Sequence, residues 1–231
     1  MILEQSKQIT EAEEEKIRQF NSVLNGLKRV DITLRNEENK RKDAMFSPFT
    51  KTAPLCEVWN FVVLDTETTG LDPVCNDIVE VSAVKFKDFK PVSLFTTLLK
   101  PNVPISEKAS EISGITNEMV ANSPTFSEIK SSLKNFIGNL PIIAHNAPFD
   151  IKFLYASGFD FDDNTVFYDT LALSREYITY CEKTKGKPAS YKLGNICKTC
   201  GIYFDGAHRA SADALAAGLL FVHIMKSAKI K

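Results

Sequence analysis

The sequence predicts an α/β protein in which three antiparallel strands are followed by βα units with parallel strands. Three apolar runs rich in β-branched residues follow one another between residues 61 and 99, and the segments that separate them are short enough for hairpins. Further along the chain, short apolar runs alternate with stretches of helical periodicity, which is the pattern of parallel βα units. These two observations predict one mixed sheet with helices on its faces.

Residues 1–50 are predicted to form a helical extension and a linker, separate from a domain at 51–231. Thr10 and Glu13 fit a capping box, and apolar residues then recur at helical spacing, which predicts one amphipathic helix near residues 11–30. A single helix must bury its apolar stripe somewhere. Packing on its own domain and docking on a partner both remain open for this helix.

The first predicted strand, Phe61–Leu64, is an apolar run typical of a strand buried on both faces. It leads into Asp65 and Glu67, which leave the same face because strand side chains alternate. Two adjacent acids repel each other and lose hydration unless a cation or a shared proton compensates them. This strand end is therefore a candidate metal site, and Thr68–Gly70 offers a turn with backbone N–H groups for an anion.

The remaining elements are predicted from apolar runs and from helix-capping residues. Further strands are predicted at Ile78–Phe86, Val92–Leu99, Pro141–His145 and Val166–Tyr168. Helices are predicted to begin near Ser106, Ser123, Phe149, Thr170, Tyr191 and Ser211. In the last helix the buried stripe is predicted to be Leu215, Leu219, Val222 and Met225.

Composition excludes several classes of protein. No apolar run approaches the roughly 20 residues that a membrane helix requires, and the polar N-terminus has no signal-peptide core, so we expect a cytoplasmic protein without a membrane partner. Five scattered cysteines argue against a disulfide framework. The net charge of −1 supplies no global basic field for a nucleic acid, although an enzyme that holds one or two phosphates through metals needs none.

Two more acids and one histidine fall at predicted element boundaries. Asp150 and Asp213 each lie in the first turn of a predicted helix, where a carboxylate also stabilises the helix N-terminus, so each alone is a weak indication of a site. His208 precedes Asp213 by five positions, which on one helix are about 140° apart. We therefore expect His208 in the loop before the helix, where a histidine is free to transfer protons.

Three segments, in this order, resemble the exonuclease motifs of the DnaQ-like (DEDDh) family of 3′–5′ exonucleases. They are FVVLDTETTG at 61–70, IIAHNAPFD at 142–150 and HRASAD at 208–213. The resemblance extends over about residues 59–225, and the family includes the proofreading subunit of bacterial DNA polymerase III. It implies a ribonuclease-H-like fold, in agreement with the mixed sheet, and a metal-dependent 3′–5′ exonuclease.

The resemblance also implies the residues of the site. Four acids would hold two divalent cations, Mg²⁺ or Mn²⁺: Asp65, Glu67, Asp150 and Asp213. His208 would be the general base, and Glu67 would act in catalysis as well as in metal binding. The residues implied to contact the terminal nucleotide are Thr68, Thr69, Gly70, Ile115, Asn146 and Phe149.

The substrate that the resemblance implies is a single-stranded or frayed 3′ end of DNA, from which nucleoside 5′-monophosphates are released. RNA trimming by the same chemistry is the alternative within the family. A non-catalytic nucleic-acid-binding module is the alternative from another class, although a scaffold without activity has no reason to keep like charges together. The helix predicted within residues 1–50 would then serve self-association or docking on a DNA polymerase.

Overall fold

Five strands of the chain form a single mixed sheet. The computed structural model describes residues 58–162, 164–181, 185–203 and 208–227. The strands are β1 (Phe61–Thr68), β2 (Ile78–Lys87), β3 (Lys90–Leu98), β4 (Ile142–Ala144) and β5 (Phe167–Asp169), in the spatial order β3-β2-β1-β4-β5. The first three are antiparallel, whereas β4 runs parallel to β1 and β5 parallel to β4. The predicted mixed sheet is confirmed.

Helices cover both faces of this sheet. They are α1 (Glu107–Ser113), α2 (Asn117–Val120), α3 (Phe126–Ile137), α4 (Ala147–Ala156), α5 (Thr170–Tyr177), α6 (Leu193–Thr199) and α7 (Ala210–Ser227). None of these described helices combines the length and the apolar character needed to cross a membrane. The helix predicted near residues 11–30 and the boundary predicted at residue 50 lie outside the described residues.

β1 is the central strand and is buried on both faces, as its sequence predicts. Phe61 and Val63 pack into the core beneath α7, whereas Val62 and Leu64 pack into the core on the side of α3 and α4. All four side chains are fully buried. Because side chains alternate along a strand, the odd-numbered residues that follow them also lie on the α7 face.

α7 lies closer to the sheet than its predicted apolar stripe would allow. Half of its ten buried positions are small, namely Ala210, Ala214, Ala216, Ala217 and Gly218. A Cβ at Gly218 would collide with the ring of Phe86 on β2. The predicted stripe is therefore only half right: Val222 and Met225 are buried, but Leu215 and Leu219 lie at the margin of the core. Bulky side chains of the sheet fill the space that small residues of the helix leave.

α3 begins two residues later than predicted. The sequence predicts Ser123 as its N-cap, but the structure uses Thr125, whose backbone N–H donates to Glu128 Oε2 at 2.7 Å. This closes a capping box, since the Thr125 side chain also accepts from the backbone of Glu128. The box satisfies two N–H groups reciprocally, which Ser123 cannot do because the residue three positions later is Phe126 and not Glu or Gln.

Candidate active site

Three carboxylates from two elements meet on the α7 face of the sheet. Asp65 and Glu67 come from β1, and Asp213 comes from the first turn of α7. One carboxylate oxygen from each lies within 4.8 Å of the other two. The first turn of α7 therefore completes the pair of acids that β1 presents.

Asp150 reaches the same strand from the first turn of α4, which follows β4. Its side chain is 3% exposed, and its Oδ1 accepts hydrogen bonds from the backbone N–H of Thr66 at 2.9 Å and from the Thr66 hydroxyl at 2.8 Å. After burial, the charge of Asp150 makes the largest contribution to raising the pKa of Asp65. Thr66 thus fixes Asp150 beside Asp65, although Asp150 is not one of the three acids whose oxygens cluster within 4.8 Å.

The four acids all have raised pKa values because they lie close together and are partly or, for Asp150, fully withdrawn from water. Burial and the charges of Asp150 and Asp213 raise the pKa of Asp65 well above its usual range. Burial, followed by the charge of Asp213, raises the pKa of Glu67 to about 8. Burial raises the pKa of Asp150 to about 7 against the lowering effect of the Thr66 hydrogen bonds, and burial also raises the pKa of Asp213.

This set of donors fits a divalent cation of the hard, oxygen-seeking kind. Carboxylate oxygens are the ligands that Mg²⁺ and Mn²⁺ prefer. The raised pKa values show that the protein alone does not compensate the negative charge, and a cation at Asp65, Glu67 and Asp213 would do so. Geometry and charge therefore make the end of β1 a candidate metal centre.

His208 lies in the loop directly before α7, as its spacing from Asp213 predicts. It is exposed and has a left-handed backbone with φ of +67°. Its backbone N–H donates to Asp213 Oδ2 at 3.0 Å. This bond ties the loop to the metal centre and leaves the imidazole free of that contact.

A cavity of about 260 Å³ adjoins the metal centre. It lies between the β1 end and α1, and its lining residues are Thr66, Glu67, Thr68, Thr69, Gly70, Leu71, Ser106, Lys108, Ala109, Ile112 and Phe149. Four of the predicted nucleotide contacts, Thr68, Thr69, Gly70 and Phe149, are among them. The Thr69 hydroxyl already bonds Asn76 and the Asp77 backbone, so within this wall its side chain holds the turn that follows β1.

Two predicted nucleotide contacts lie elsewhere. Ile115 is completely buried in a small core with Val79 and Ile105, and Ile112, which is 52% exposed, occupies the cavity wall instead. Asn146 is exposed as the left-handed N-cap of α4, and its backbone N–H donates to Asp169 Oδ1 at 2.8 Å. In the structure Asn146 therefore shapes the loop that leads to Asp150 and does not line the cavity.

Comparison with known proteins places this site in a family. An exonuclease family model matches residues 62–221, which include all four acids and His208. The chain belongs to the exonuclease family. The resemblance seen in the three sequence motifs is thereby confirmed.

Curated relatives within the family are named as DNA polymerases. The DNA polymerase III PolC-type of Thermotoga petrophila is 37% identical over 174 residues, which are 73% of this chain and 12% of that protein. The DNA polymerase III PolC-type of Bacillus cereus is 30% identical over 194 residues, which are 82% of this chain and 13% of that protein. The chain thus spans about an eighth of the length of these relatives.

Solved structures of exonucleases share the fold. Exonuclease X in complex with 5′ overhanging duplex DNA is 26% identical, with a TM-score of 0.60 over 74% of this chain and 94% of that one. Exonuclease I of E. coli, in complex with a dT13 oligonucleotide, is 18% identical, with a TM-score of 0.60 over 73% of this chain and 41% of that one. The second likeness shows the fold alone.

Some residues that shape this exonuclease site carry no signal of their own in the sequence. Thr66 stands between the two motif acids and has a role only because Asp150 lies beside it. Lys108 and Ile112 line the cavity because α1 lies across the end of β1. Their positions depend on tertiary packing, which neither periodicity nor spacing encodes.

The histidine of the second motif fixes the loop before Asp150. His145 Nδ1 lies 2.9 Å from the Thr170 hydroxyl, and Nε2 lies 3.0 Å from the Tyr191 carbonyl. Because a carbonyl can only accept, Nε2 carries the proton, and burial lowers the pKa of His145 so that the ring is neutral. The ring therefore connects the loop after β4 to α5 and to the segment before α6.

Proposed function

We propose that this chain is a metal-dependent 3′–5′ exonuclease domain that releases nucleoside 5′-monophosphates from DNA ends. The observation that carries the proposal is the convergence of Asp65, Glu67 and Asp213 within 4.8 Å beside a cavity of about 260 Å³. A cluster of carboxylates repels a phosphate unless cations lie between them, so metal and nucleotide are expected to bind together. Membership of the exonuclease family supports this reading.

The acids would divide between two divalent cations, Mg²⁺ or Mn²⁺. Asp65, Glu67 and Asp213 would hold one, and Asp65 and Asp150 would hold the other. When bound, such ions neutralise the phosphate, lower the pKa of the attacking water and stabilise the leaving 3′ oxygen. Thr66 contributes by holding Asp150 at a fixed position against β1.

The other residues would position the substrate and move the proton. His208 is exposed in the loop before α7, with its backbone N–H bonded to Asp213, and its imidazole would accept the proton of the attacking water. Phe149 lies in the cavity wall, where its ring would stack on the terminal base or sugar. The predominantly apolar wall favours an unpaired end, because a stacked base pair offers no free ring face to it.

DNA is the preferred substrate in this proposal, and RNA is the alternative. The support for DNA is that the relatives are named DNA polymerases and that exonuclease X was solved in complex with duplex DNA. A polymerase complex is the proposed setting, with residues 1–50 serving for docking or self-association. A non-catalytic nucleic-acid-binding module is disfavoured because all five motif residues are present.

The test uses single-stranded DNA and RNA labelled at the 5′ end, each incubated with Mg²⁺, Mn²⁺ or EDTA. A ladder that shortens from the 3′ end of DNA, with cation present and not with EDTA, is the expected result. Asp65→Asn should abolish it, whereas Asp162→Asn, an exposed carboxylate in an ion pair with Lys134, should not. If neither DNA nor RNA gives a cation-dependent ladder, the proposal is overturned. If only RNA gives one, RNA replaces DNA as the proposed substrate.

A further inference from the structure

Glu80 is a buried carboxylate beside the metal centre that the metal-binding assignment leaves without a role. It lies on β2, opposite Glu67 in the β1–β2 register, and its side chain is only 2% exposed. Burying a charge costs several kcal/mol unless it is paired and hydrogen-bonded. The partners of Glu80 should therefore show why the fold keeps it.

Within the described residues, the hydrogen bonds to the Glu80 carboxylate come from the start of α7. Arg209 donates from Nη2 to Oε1 at 2.7 Å and from Nε to Oε2 at 3.2 Å, and the backbone N–H of Ala210 donates to Oε2 at 3.1 Å. The two Arg209 bonds form a bidentate pair, which fixes orientation as well as distance. Glu80 thus caps α7 across 130 positions of sequence.

The residues that this contact fixes are neighbours of the proposed catalytic groups. The Arg209 carbonyl accepts the first helical bonds of α7, from the N–H groups of Ala212 at 2.9 Å and Asp213 at 3.1 Å. His208 directly precedes Arg209, and its N–H bonds the Asp213 carboxylate. A shift of Arg209 would therefore displace the histidine and the carboxylate together.

We propose that Glu80 and Arg209 are positioning residues of the exonuclease reaction, an inference that rests on the proposed function. Their bidentate pair holds the segment 208–213 at a fixed position against β2. It thereby sets where the His208 imidazole and the Asp213 carboxylate stand relative to the acids of β1. Neither Glu80 nor Arg209 touches the substrate in this account.

Charge also favours this arrangement over a purely structural contact. An apolar pair of similar volume would serve stability alone as well as a buried ion pair does. The guanidinium instead compensates, through two hydrogen bonds, the carboxylate that lies opposite Glu67 on β2. Four acids are then left to bind cations, and the fifth is neutralised within the protein.

The experiment compares Arg209→Met with Lys134→Met. Both side chains are 48% exposed and both pair with a carboxylate, Glu80 and Asp162 respectively, but Lys134 lies on α3 and outside the site. Steady-state kinetics on single-stranded DNA with saturating Mg²⁺ give kcat and KM. We expect Arg209→Met to lower kcat by about 10- to 100-fold, as a displacement of about 1 Å does, with KM within about threefold of wild type.

Lys134→Met should keep the kcat of the wild type. Arg209→Lys should recover part of the kcat that Arg209→Met loses, because an ammonium keeps the charge but cannot bond both carboxylate oxygens in the same way. Circular dichroism and thermal unfolding confirm that each variant is folded. If Arg209→Met does not fold, Arg209→Lys and Glu80→Gln provide the same comparison of kcat.

The outcomes separate the two proposals. If the wild type cleaves DNA and a folded Arg209→Met variant keeps the wild-type kcat, the positioning role is overturned, even if that variant is less stable. The proposed function then stands. An increase in KM alone would also overturn it, because the pair would then act in nucleotide binding. If wild type does not cleave with Mg²⁺ or Mn²⁺, the proposed function itself fails.

Discussion

The metal centre should bind cations much more tightly at high pH than at low pH. Burial and neighbouring charges raise the pKa of Glu67 to about 8 and that of Asp150 to about 7. A carboxylate must lose its proton before it can hold a metal. Near neutral pH a cation must therefore displace protons from these two carboxyl groups. The apparent affinity of the protein for the cation rises as the pH increases and these protons are lost.

The magnitude follows from the two pKa values. Between pH 6.5 and 8.5, ionisation of Glu67 should raise the apparent affinity about 25-fold and ionisation of Asp150 about fourfold, or roughly 100-fold together. Both acids have folded-state pKa values above those of an unfolded chain. The contribution of these two acids to the stability of the metal-free protein is therefore fully present below about pH 4, the range of unfolded acids, and is lost as the pH rises through 7 and 8.

The assay is thermal unfolding with Mg²⁺ titrated into metal-free protein at pH 6.5, 7.5 and 8.5. Without Mg²⁺ the midpoint should fall as the pH rises, and with saturating Mg²⁺ this fall should be largely removed. Asp65→Asn is the control and should show little stabilisation by Mg²⁺ at any pH. An Mg²⁺ affinity that changes less than about threefold over this range would refute the reasoning, because Glu67 alone should change it more than that.

Three further changes test other parts of the site. Thr66→Val removes the hydroxyl bond to Asp150 and should cost about 1.5–3 kcal/mol in urea unfolding, whereas Thr199→Val, whose hydroxyl bonds an exposed backbone carbonyl, should cost less than about 0.5. His208→Ala should lower kcat by about 10²- to 10⁴-fold and leave Mg²⁺ affinity nearly unchanged, and a large loss of affinity would contradict its role as the base. Deleting residues 1–50 should leave kcat unchanged, and light scattering should show a lower molar mass if this segment mediates self-association.

The strands and the first two acids could be predicted from local patterns in the sequence, whereas Asp150 and Asp213 are assigned to the site only by the resemblance of the three motifs. The side chains of β1 point alternately into two cores. Its run of apolar residues therefore predicts a central strand without knowledge of the neighbouring strands. Asp65 and Glu67 stand out against that run, and the spacing of His208 and Asp213 places one before a helix and the other in its first turn. Each inference needs only a few neighbouring residues.

The cavity wall could not be predicted in the same way because it is formed by packing between distant elements. Ile112 and Ile115 are both apolar residues near the end of α1, and only the direction in which the chain leaves Gly114, at φ of +70°, decides which one is buried. The buried face of α7 was misjudged for a related reason. Periodicity favours large residues such as Leu215, whereas the closest contact with the sheet is made at Gly218, which has no side chain to indicate it.

Glu80 illustrates how a functional contact can lie hidden in an ordinary strand pattern. In the predicted strand it is one polar residue among β-branched ones, and its partner Arg209 is 129 positions away. Antiparallel pairing sets Glu80 opposite Glu67, and close packing of α7 on β2 brings Arg209 to it. A fold that gathers acids at the end of β1 must also hold the helix that carries one of them, and the bidentate charge-assisted pair adds a fixed orientation to the close packing of α7 on the sheet.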